Sequence, residues 1–245
     1  MATLQCGSVT FLNIEAVIFD KDGTLADSQE FLRHLGQRRA RLIDAQIPGV
    51  QEPLLMAFGL LDGKLNPLGL LAVGTRQENE IAAAAYIAET GRDWVDALKI
   101  ARSGFAEADA VFPRKADHTP LFPGVLELLQ RLQTAQVKTG ILSADSTQNV
   151  LDFMQCYHLE HLITLGQGID HPPGKPDPTC FLNQCEALGV DPEATLVVGD
   201  STADLEMARS GKAAGAIGVT WGWTNPARLS QANALIRSLT EISVI

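Results

Sequence analysis

Short runs of apolar residues alternate with amphipathic segments along most of this 245-residue chain. The first run, Ala16 to Phe19, contains no polar residue and ends at Asp20. A run of this kind is typical of a strand that is buried on both faces of a parallel sheet. Comparable runs occupy residues 137–142, 161–165, 195–198 and 214–219. Because segments with helical spacing separate most of these runs, the pattern predicts an α/β fold with a doubly wound parallel sheet.

One long segment interrupts this alternation directly after the first strand. Residues 29–115 show helical spacing and no strand pattern, and Thr75 begins a capping box that marks the start of one helix. We therefore predict that residues 28–115 form an inserted α-helical domain. The core would then comprise residues 1–27 and 116–245.

The patterns at the two ends of the chain are weaker. Residues 1–13 are interpreted as a short lead-in to the first strand, and residues 230–245 as a final helix, a strand or both. Trp221 and Trp223, which precede this tail, are predicted to pack inside the protein rather than to stack on a substrate.

Three of the predicted strands end at a polar residue, namely Asp20, Ser143 and Asp200. A single serine or aspartate after a strand is most often a helix cap or a turn residue. In a doubly wound sheet, however, functional groups gather at the carboxyl ends of the strands. The three residues together therefore predict one functional site at that edge of the sheet.

A second carboxylate, Asp22, follows Asp20 by two positions, and Gly23 and Thr24 then turn the chain. Two adjacent carboxylates repel each other unless one of them takes a proton or a cation lies between them. Mg²⁺ prefers oxygen ligands of this kind. The Asp-Gly pair alone would indicate no more than a chain reversal.

Charge and cysteine content narrow the classes of function. Lys and Arg total 19 while Asp and Glu total 29, which gives a formal net charge of −10. This acidity argues against non-specific binding to nucleic acid or to an anionic membrane. The four cysteines show no metal-binding spacing. With no signal peptide and no apolar run of about 18 residues, we expect a cytoplasmic protein with reduced thiols.

The polar motifs, in their order along the chain, resemble those of the haloacid dehalogenase superfamily, whose members are mostly phosphatases. The matching motifs are D-x-D-G-T-L at 20–25, Ser143 at a strand end, G-K-P-D-P at 174–178 and G-D-S-x-x-D at 199–204. The resemblance spans residues of about 14 to 220 and is nearest to phosphoglycolate phosphatase-like members. It implies a Rossmann-like core, an α-helical cap between the first two motifs, Mg²⁺ as cofactor and hydrolysis of a phosphoester.

The resemblance also implies roles for four residues. Asp20 would attack phosphorus and form an aspartyl phosphate. Asp22 would act as general acid and then as general base, and its backbone carbonyl would contact the metal together with Asp20 and Asp200. Lys175 would hold the nucleophile and the phosphoryl oxygens.

The remaining predicted site residues are expected to support this chemistry. The Ser143 hydroxyl and the amide of Ala144 would bind phosphoryl oxygens, although Ala144 stands where the family more usually has asparagine. Gly23 and Thr24 are predicted to contribute to the same phosphate site. Asp204, which lies one helical turn beyond Asp200, would orient Lys175 or a metal-bound water.

The same residues help to distinguish between alternative functions. Asp22 argues against dehalogenases and phosphonatases, which lack this aspartate. A phosphomutase uses the same core and remains open. A phosphate-sensing module without turnover would need neither Asp22 nor the inserted helices. The leading prediction is an enzyme that hydrolyses a small phosphorylated metabolite with Mg²⁺ and has no nucleic-acid or membrane partner; the sequence leaves its oligomeric state open.

Overall fold

The computed structural model describes residues 1–221 and 229–245, so Trp223 lies outside the described residues. The chain forms two compact units. The first comprises Met1–Asp27 and Thr119–Ile245, and the second comprises Ser28–His118. The predicted insertion starts at the same residue as the second unit, which runs on to His118 rather than ending at residue 115.

The elements follow one another in a simple order. The first unit begins with β1 (Ala2–Cys6), β2 (Val9–Ile14) and β3 (Ala16–Phe19). The second unit contains α1 (Gln29–Asp44), α2 (Gln51–Phe58), β4 (Leu60–Leu61), β5 (Lys64–Leu65), α3 (Leu70–Val73), α4 (Arg76–Glu89) and α5 (Trp94–Asp109). The first unit resumes with α6 (Val125–Thr134), β6 (Lys138–Ser143), α7 (Thr147–Cys156), β7 (Leu165–Gly168), α8 (Pro178–Leu188), β8 (Thr195–Gly199), α9 (Thr202–Ser210), β9 (Gly215–Val219), β10 (Ala234–Ile236) and β11 (Ile242–Val244).

A parallel sheet forms the centre of the first unit, with the strand order β10-β9-β8-β3-β6-β7. Strand β3 pairs with β8 on one side and β6 on the other, and all four of its side chains are buried. Phe19 lies opposite both Ile141 and Val198, so these three strands end at the same edge of the sheet. The predicted α/β fold with a doubly wound parallel sheet is confirmed.

The chain leaves and re-enters the first unit at neighbouring positions. The backbone N–H of Asp27 donates to the carbonyl of Pro120 at 2.7 Å, and the N–H of Phe122 donates to the carbonyl of Leu25 at 2.9 Å. The outgoing and returning segments therefore lie side by side, joined by backbone hydrogen bonds.

Residues 1–13, which were interpreted as a short lead-in, form two strands instead. Strands β1 and β2 form an antiparallel hairpin, and β11 from the end of the chain pairs with the other edge of β1. Leu4, Cys6 and Phe11 are buried in this small sheet. The alternation of buried and partly exposed side chains is short in each strand, which explains why the pattern was missed.

The prediction of an entirely helical insertion is also wrong. A short hairpin, β4–β5, turns at Asp62 and Gly63, which have φ values of 50° and 72°. Two consecutive positive φ angles suit the tight turn that Asp-Gly sequences favour between antiparallel strands. The strands contain only two residues each, so no alternating pattern could reveal them.

The strand predicted at residues 161–165 lies later, at Leu165–Gly168. The backbone N–H groups of Leu162 and Ile163 both donate to Leu159, so these apolar residues form a buried turn. The true strand is rich in glycine because a Cβ at Gly168 would lie 2.3 Å from the backbone of the loop before α7. Close backbone approach thus removes the apolar signal that identifies the other strands.

Two smaller predictions bear on partners and packing. Trp221 packs edge-on against Phe122 with ring centroids 5.8 Å apart, as expected for a packing residue. Across the described residues, the helices lack the combination of length and apolar character that a membrane span requires.

Candidate active site

Three parallel strands deliver polar residues to one edge of the sheet. Asp20 follows β3, Asp200 follows β8, and Ser143 is the last residue of β6. All three side chains are buried. The N–H of Asp20 donates to the carbonyl of Val198 at 2.8 Å, which continues the sheet pairing one residue past β3 and fixes the start of the following turn.

Lys175 connects two of the carboxylates at this edge. Its Nζ donates to Asp20 Oδ1 at 2.6 Å and to Asp204 Oδ1 at 2.7 Å. The lysine lies in the loop before α8, where the N–H of Asp177 donates to the carbonyl of Gly174 and closes a turn around it. Asp177 then caps α8, so the helix start anchors the loop that presents Lys175.

Asp204 contributes to both the helix and the site. It completes a capping box with Ser201, whose hydroxyl donates to Asp204 Oδ2 at 2.6 Å. Its other oxygen accepts from Lys175. One oxygen of this carboxylate thus serves the helix start while the other contacts Lys175; the predicted role in orienting Lys175 stays a prediction.

Gly23 and Thr24 use their polar groups within the protein. Gly23 has a φ of 88°, and its N–H donates to the carbonyl of Ala26 at 2.8 Å. The Thr24 hydroxyl is fully buried and donates to Asp200 Oδ1 at 3.3 Å. The tight turn after β3 thus places Thr24 against Asp200; the predicted contact of these two residues with phosphate stays a prediction.

Ser143 and Ala144 lie at the end of β6. The Ser143 hydroxyl accepts from the N–H of Asp145 at 3.2 Å, and Ala144 is half-buried. This position is compatible with the predicted phosphate contacts, which stay predictions.

Burial and crowding of like charges shift the acid–base properties of the site. Burial, followed by the charges of Asp204 and Asp22, raises the pKa of Asp20 to about 7 even though Lys175 opposes the shift. Burial and the charge of Asp20 also raise the pKa of Asp200 well above its ordinary value. Burial alone would lower the pKa of Lys175, but Asp20 and Asp204 outweigh it and raise that pKa.

Three of these carboxylates form a group suited to a cation. One oxygen from each of Asp20, Asp200 and Asp204 lies within 4.8 Å of the others. Grouped carboxylate oxygens fit Mg²⁺, because a bound cation would offset the burial and mutual repulsion of their negative charges. The predicted set contained Asp22 rather than Asp204. The side chain of Asp22 is directed to Lys21 instead, and its predicted backbone contact with the metal stays a prediction.

Sequence reasoning missed two charged residues beside this site. Lys21, between the two aspartates of the first motif, is only 1% exposed. Its Nζ lies 2.8 Å from Asp22 Oδ2 and 3.2 Å from Asp145 Oδ2. The available signal was a lysine flanked by acids directly after a fully buried strand, where solvent exposure is not expected.

Comparison with known proteins agrees with the fold and the motifs. A family model described as haloacid dehalogenase-like hydrolase matches residues 14–212. N-acetylmuramic acid 6-phosphate phosphatase of Pseudomonas putida is 28% identical over 88% of this chain and 86% of its own length. Phosphoglycolate phosphatase of Chromobacterium violaceum is 25% identical over 94% of this chain and 95% of its own length.

A solved structure shares the fold. It is described as a predicted phosphoglycolate phosphatase from Haemophilus somnus, and it aligns with a TM-score of 0.71 and 21% identity over 94% of this chain and 96% of its own. The predicted resemblance is therefore confirmed, and with it the prediction of an enzyme. Since the family model matches most of the sequence, the chain belongs to the haloacid dehalogenase-like hydrolases.

Proposed function

We propose that this protein is a Mg²⁺-dependent phosphatase that hydrolyses a small phosphomonoester through an aspartyl-phosphate intermediate. One observation carries the proposal: Lys175 lies between Asp20 and Asp204 at the edge of the sheet where Asp200 directly follows a strand. A carboxylate fixed by a buried cation, next to further oxygen ligands, is suited to attack on a phosphoryl group.

In the first step, a carboxylate oxygen of Asp20 forms a bond to phosphorus while the bond from phosphorus to the ester oxygen breaks. The departing alkoxide takes a proton from Asp22 and leaves as an alcohol. Lys175 remains positively charged throughout, because its raised pKa keeps it protonated. It therefore offsets negative charge on Asp20 and on the phosphoryl oxygens.

In the second step, water attacks the phosphorus of the aspartyl phosphate. Asp22, now ionised, takes a proton from that water as the bond between phosphorus and Asp20 breaks. Inorganic phosphate leaves, and both aspartates return to their starting states. Asp20, Asp200 and Asp204 would hold the Mg²⁺. When bound, the ion would neutralise phosphoryl oxygens and so reduce their repulsion of the attacking carboxylate.

The substrate class follows from the relatives. Their names give phosphoglycolate and N-acetylmuramic acid 6-phosphate, both small phosphorylated metabolites. We propose a substrate of this class, with the helical unit as a cap that selects it. We also propose a cytoplasmic location, where cysteines without disulfide partners, such as the four of this chain, are the rule.

The test is hydrolysis of p-nitrophenyl phosphate by the purified chain with Mg²⁺, before and after Asp20→Asn. Loss of the nucleophile should lower kcat by more than about 10³-fold. Glu186→Gln is the matched control, because this exposed carboxylate on α8 lies outside the site. Full activity of Asp20→Asn would contradict the mechanism.

The same assay separates the alternatives. Release of inorganic phosphate from phosphoglycolate or N-acetylmuramic acid 6-phosphate identifies a phosphatase. Formation of an isomeric phosphate ester without phosphate release would identify a mutase instead. A stable acyl phosphate on Asp20 that never turns over would identify a sensing module.

A further inference from the structure

Lys21 is a buried cation in the middle of the first motif. It belongs to the largest side chains that are fully buried in the described residues, with 1% exposure. A buried ammonium group is costly unless nearby charges and hydrogen-bond acceptors compensate it. Its surroundings therefore indicate why the fold keeps a lysine there.

Two carboxylates and one aromatic ring surround the ammonium group. Nζ lies 2.8 Å from Asp22 Oδ2, 3.2 Å from Asp145 Oδ2 and 5.5 Å from the centre of the Phe153 ring. Asp22 comes from the turn after β3, whereas Asp145 comes from the loop after β6. Lys21 thus links the turn that carries Asp22 to the loop that follows Ser143.

Asp145 is itself firmly held. Its Oδ1 accepts from the N–H of Ser146 at 2.9 Å and from Asn149 Nδ2 at 2.7 Å, while its own N–H donates to the Ser143 hydroxyl. These contacts fix the carboxylate to the first turn of α7. Lys21 therefore connects Asp22 to a rigid element rather than to a mobile side chain.

We propose that Lys21 is a positioning residue that holds the Asp22 carboxylate in place for proton transfer. This inference rests on the proposed function, in which Asp22 delivers a proton in the first step and removes one in the second. Both transfers require the same carboxylate at nearly the same place, so a fixed side chain reduces the reorganisation needed in each turnover. Lys21 contacts Asp22 and not the reacting atoms.

A lysine that only neutralised two buried acids would have a different kinetic effect. Its loss would loosen the whole site and slow both chemical steps. A positioning residue acts through Asp22 alone, so its loss should slow only the steps that Asp22 assists. p-Nitrophenyl phosphate separates the two cases, because p-nitrophenolate leaves without needing a proton whereas the attacking water must lose one.

The experiment measures Lys21→Met by stopped-flow and steady-state kinetics with p-nitrophenyl phosphate and Mg²⁺. We expect the first turnover to change by less than about threefold and the steady-state kcat to fall at least about tenfold. Phosphoenzyme should therefore accumulate. In an Asp22→Asn background, Lys21→Met should change kcat by less than about twofold, because the group it positions is already lost.

Controls address charge and folding. Lys212→Met removes an exposed lysine of the first unit and should leave both phases unchanged. Lys21→Met leaves Asp22 and Asp145 without their shared cation. The double variant Lys21→Met/Asp145→Asn restores the net charge of the cluster and should show the same selective loss of steady-state turnover.

Two results would overturn the assignment of Lys21. One is that Lys21→Met slows the first turnover and the steady state equally. The other is that Lys21→Met lowers kcat in the Asp22→Asn background by as large a factor as in the wild type. Turnover that survives Asp20→Asn would instead overturn the proposed function, and this inference with it. Loss of activity in Asp20→Asn combined with uniform slowing in Lys21→Met rejects the Lys21 assignment alone.

Discussion

Asp20 and Asp200 are both buried, and burial is the main reason for their raised affinity for protons. Burial raises the pKa of Asp20 to about 7, and that of Asp200 is also raised. Because these two pKa values are higher in the folded chain than in the unfolded chain, the folded chain binds more protons at intermediate pH. These carboxylates therefore oppose folding at neutral pH, where a bound cation would compensate them.

The pH dependence of stability should reveal this effect. From about pH 4 to about pH 7 the folded chain binds more protons at Asp20 than the unfolded chain, so its contribution to stability falls as pH rises through this range. The pKa of Asp200 is raised in the same direction, so without metal Asp200→Asn should raise Tm more at pH 8 than at pH 5. Thermal unfolding in EDTA measures the difference, and an equal change at both pH values would contradict the expectation.

Mg²⁺ should have the opposite dependence on pH. The ion requires ionised carboxylates, so it should raise Tm by about 5 °C or more at pH 8 and by less at pH 5. Thermal unfolding with saturating Mg²⁺ measures the shift in wild type and in Asp200→Asn. An unchanged shift in the variant would remove Asp200 from the proposed metal site.

The positions of individual residues were predictable from the sequence where a residue follows a strand or lies in a specific motif. The proximity of Asp20, Lys175 and Asp204 was expected from their motifs, and the distances agree with it. Lys21 was missed because an isolated lysine is ordinarily assigned to the surface. Its partner Asp145 is far away in the sequence, so no local pattern connects the two.

The ends of individual elements determine the geometry of the site. Gly199, the last residue of β8, lets α9 approach closely, since a Cβ there would lie 2.5 Å from Cγ of Asp204. The same helix start places Asp204 beside Lys175. Glycine at position 199 is therefore needed for the contact between Asp204, at the start of α9, and Lys175, in the loop before α8.

Gly199→Ala should disrupt this arrangement. The added methyl group must displace Asp204, which we expect to lower kcat about tenfold and to destabilise the fold by about 1–3 kcal/mol. Its neighbour across the sheet, Gly218, is the matched control, because the nearest atom there belongs to the exposed and flexible side chain of Leu235. Phosphatase assays and thermal unfolding compare Gly199→Ala with Gly218→Ala; equal effects would contradict the prediction.

Whether an element was predictable depended on the strength of its side-chain pattern. Strands β3 and β8 are buried along their whole length and were recognised as apolar runs. Strand β7 is half glycine, and β4 and β5 have two residues each, so packing and turn geometry define them instead. The Asp-Gly turn between β4 and β5 was a usable signal that the helical interpretation overlooked.

At the scale of the whole molecule, the two ends of the chain meet in one small sheet. Strand β1 pairs with β2 on one edge and with β11 on the other, and Leu4 lies opposite Val244. The parallel arrangement of the main sheet was predictable from alternating strands and helices, whereas this pairing joins residues at opposite ends of the sequence. Such non-local contacts leave no periodic signal that would reveal them in advance.

This small sheet should contribute measurably to stability. Leu4 is fully buried, so Leu4→Ala should lower the free energy of unfolding by about 2–5 kcal/mol. Leu12→Ala makes the same chemical change at a side chain that is 66% exposed and should have little effect. Chemical denaturation measures both variants, and similar values for the two would show that the terminal sheet does not stabilise the protein.

The hydrogen bonds between Asp27 and Pro120 and between Leu25 and Phe122 have a consequence for protein engineering. They hold the two junctions of the inserted segment next to each other, so any cassette with closely spaced termini could be grafted there without stretching the turn that carries Asp20. Under the proposed function, in which the inserted segment selects the substrate, replacing this segment should change selectivity while the reaction chemistry stays with the first unit.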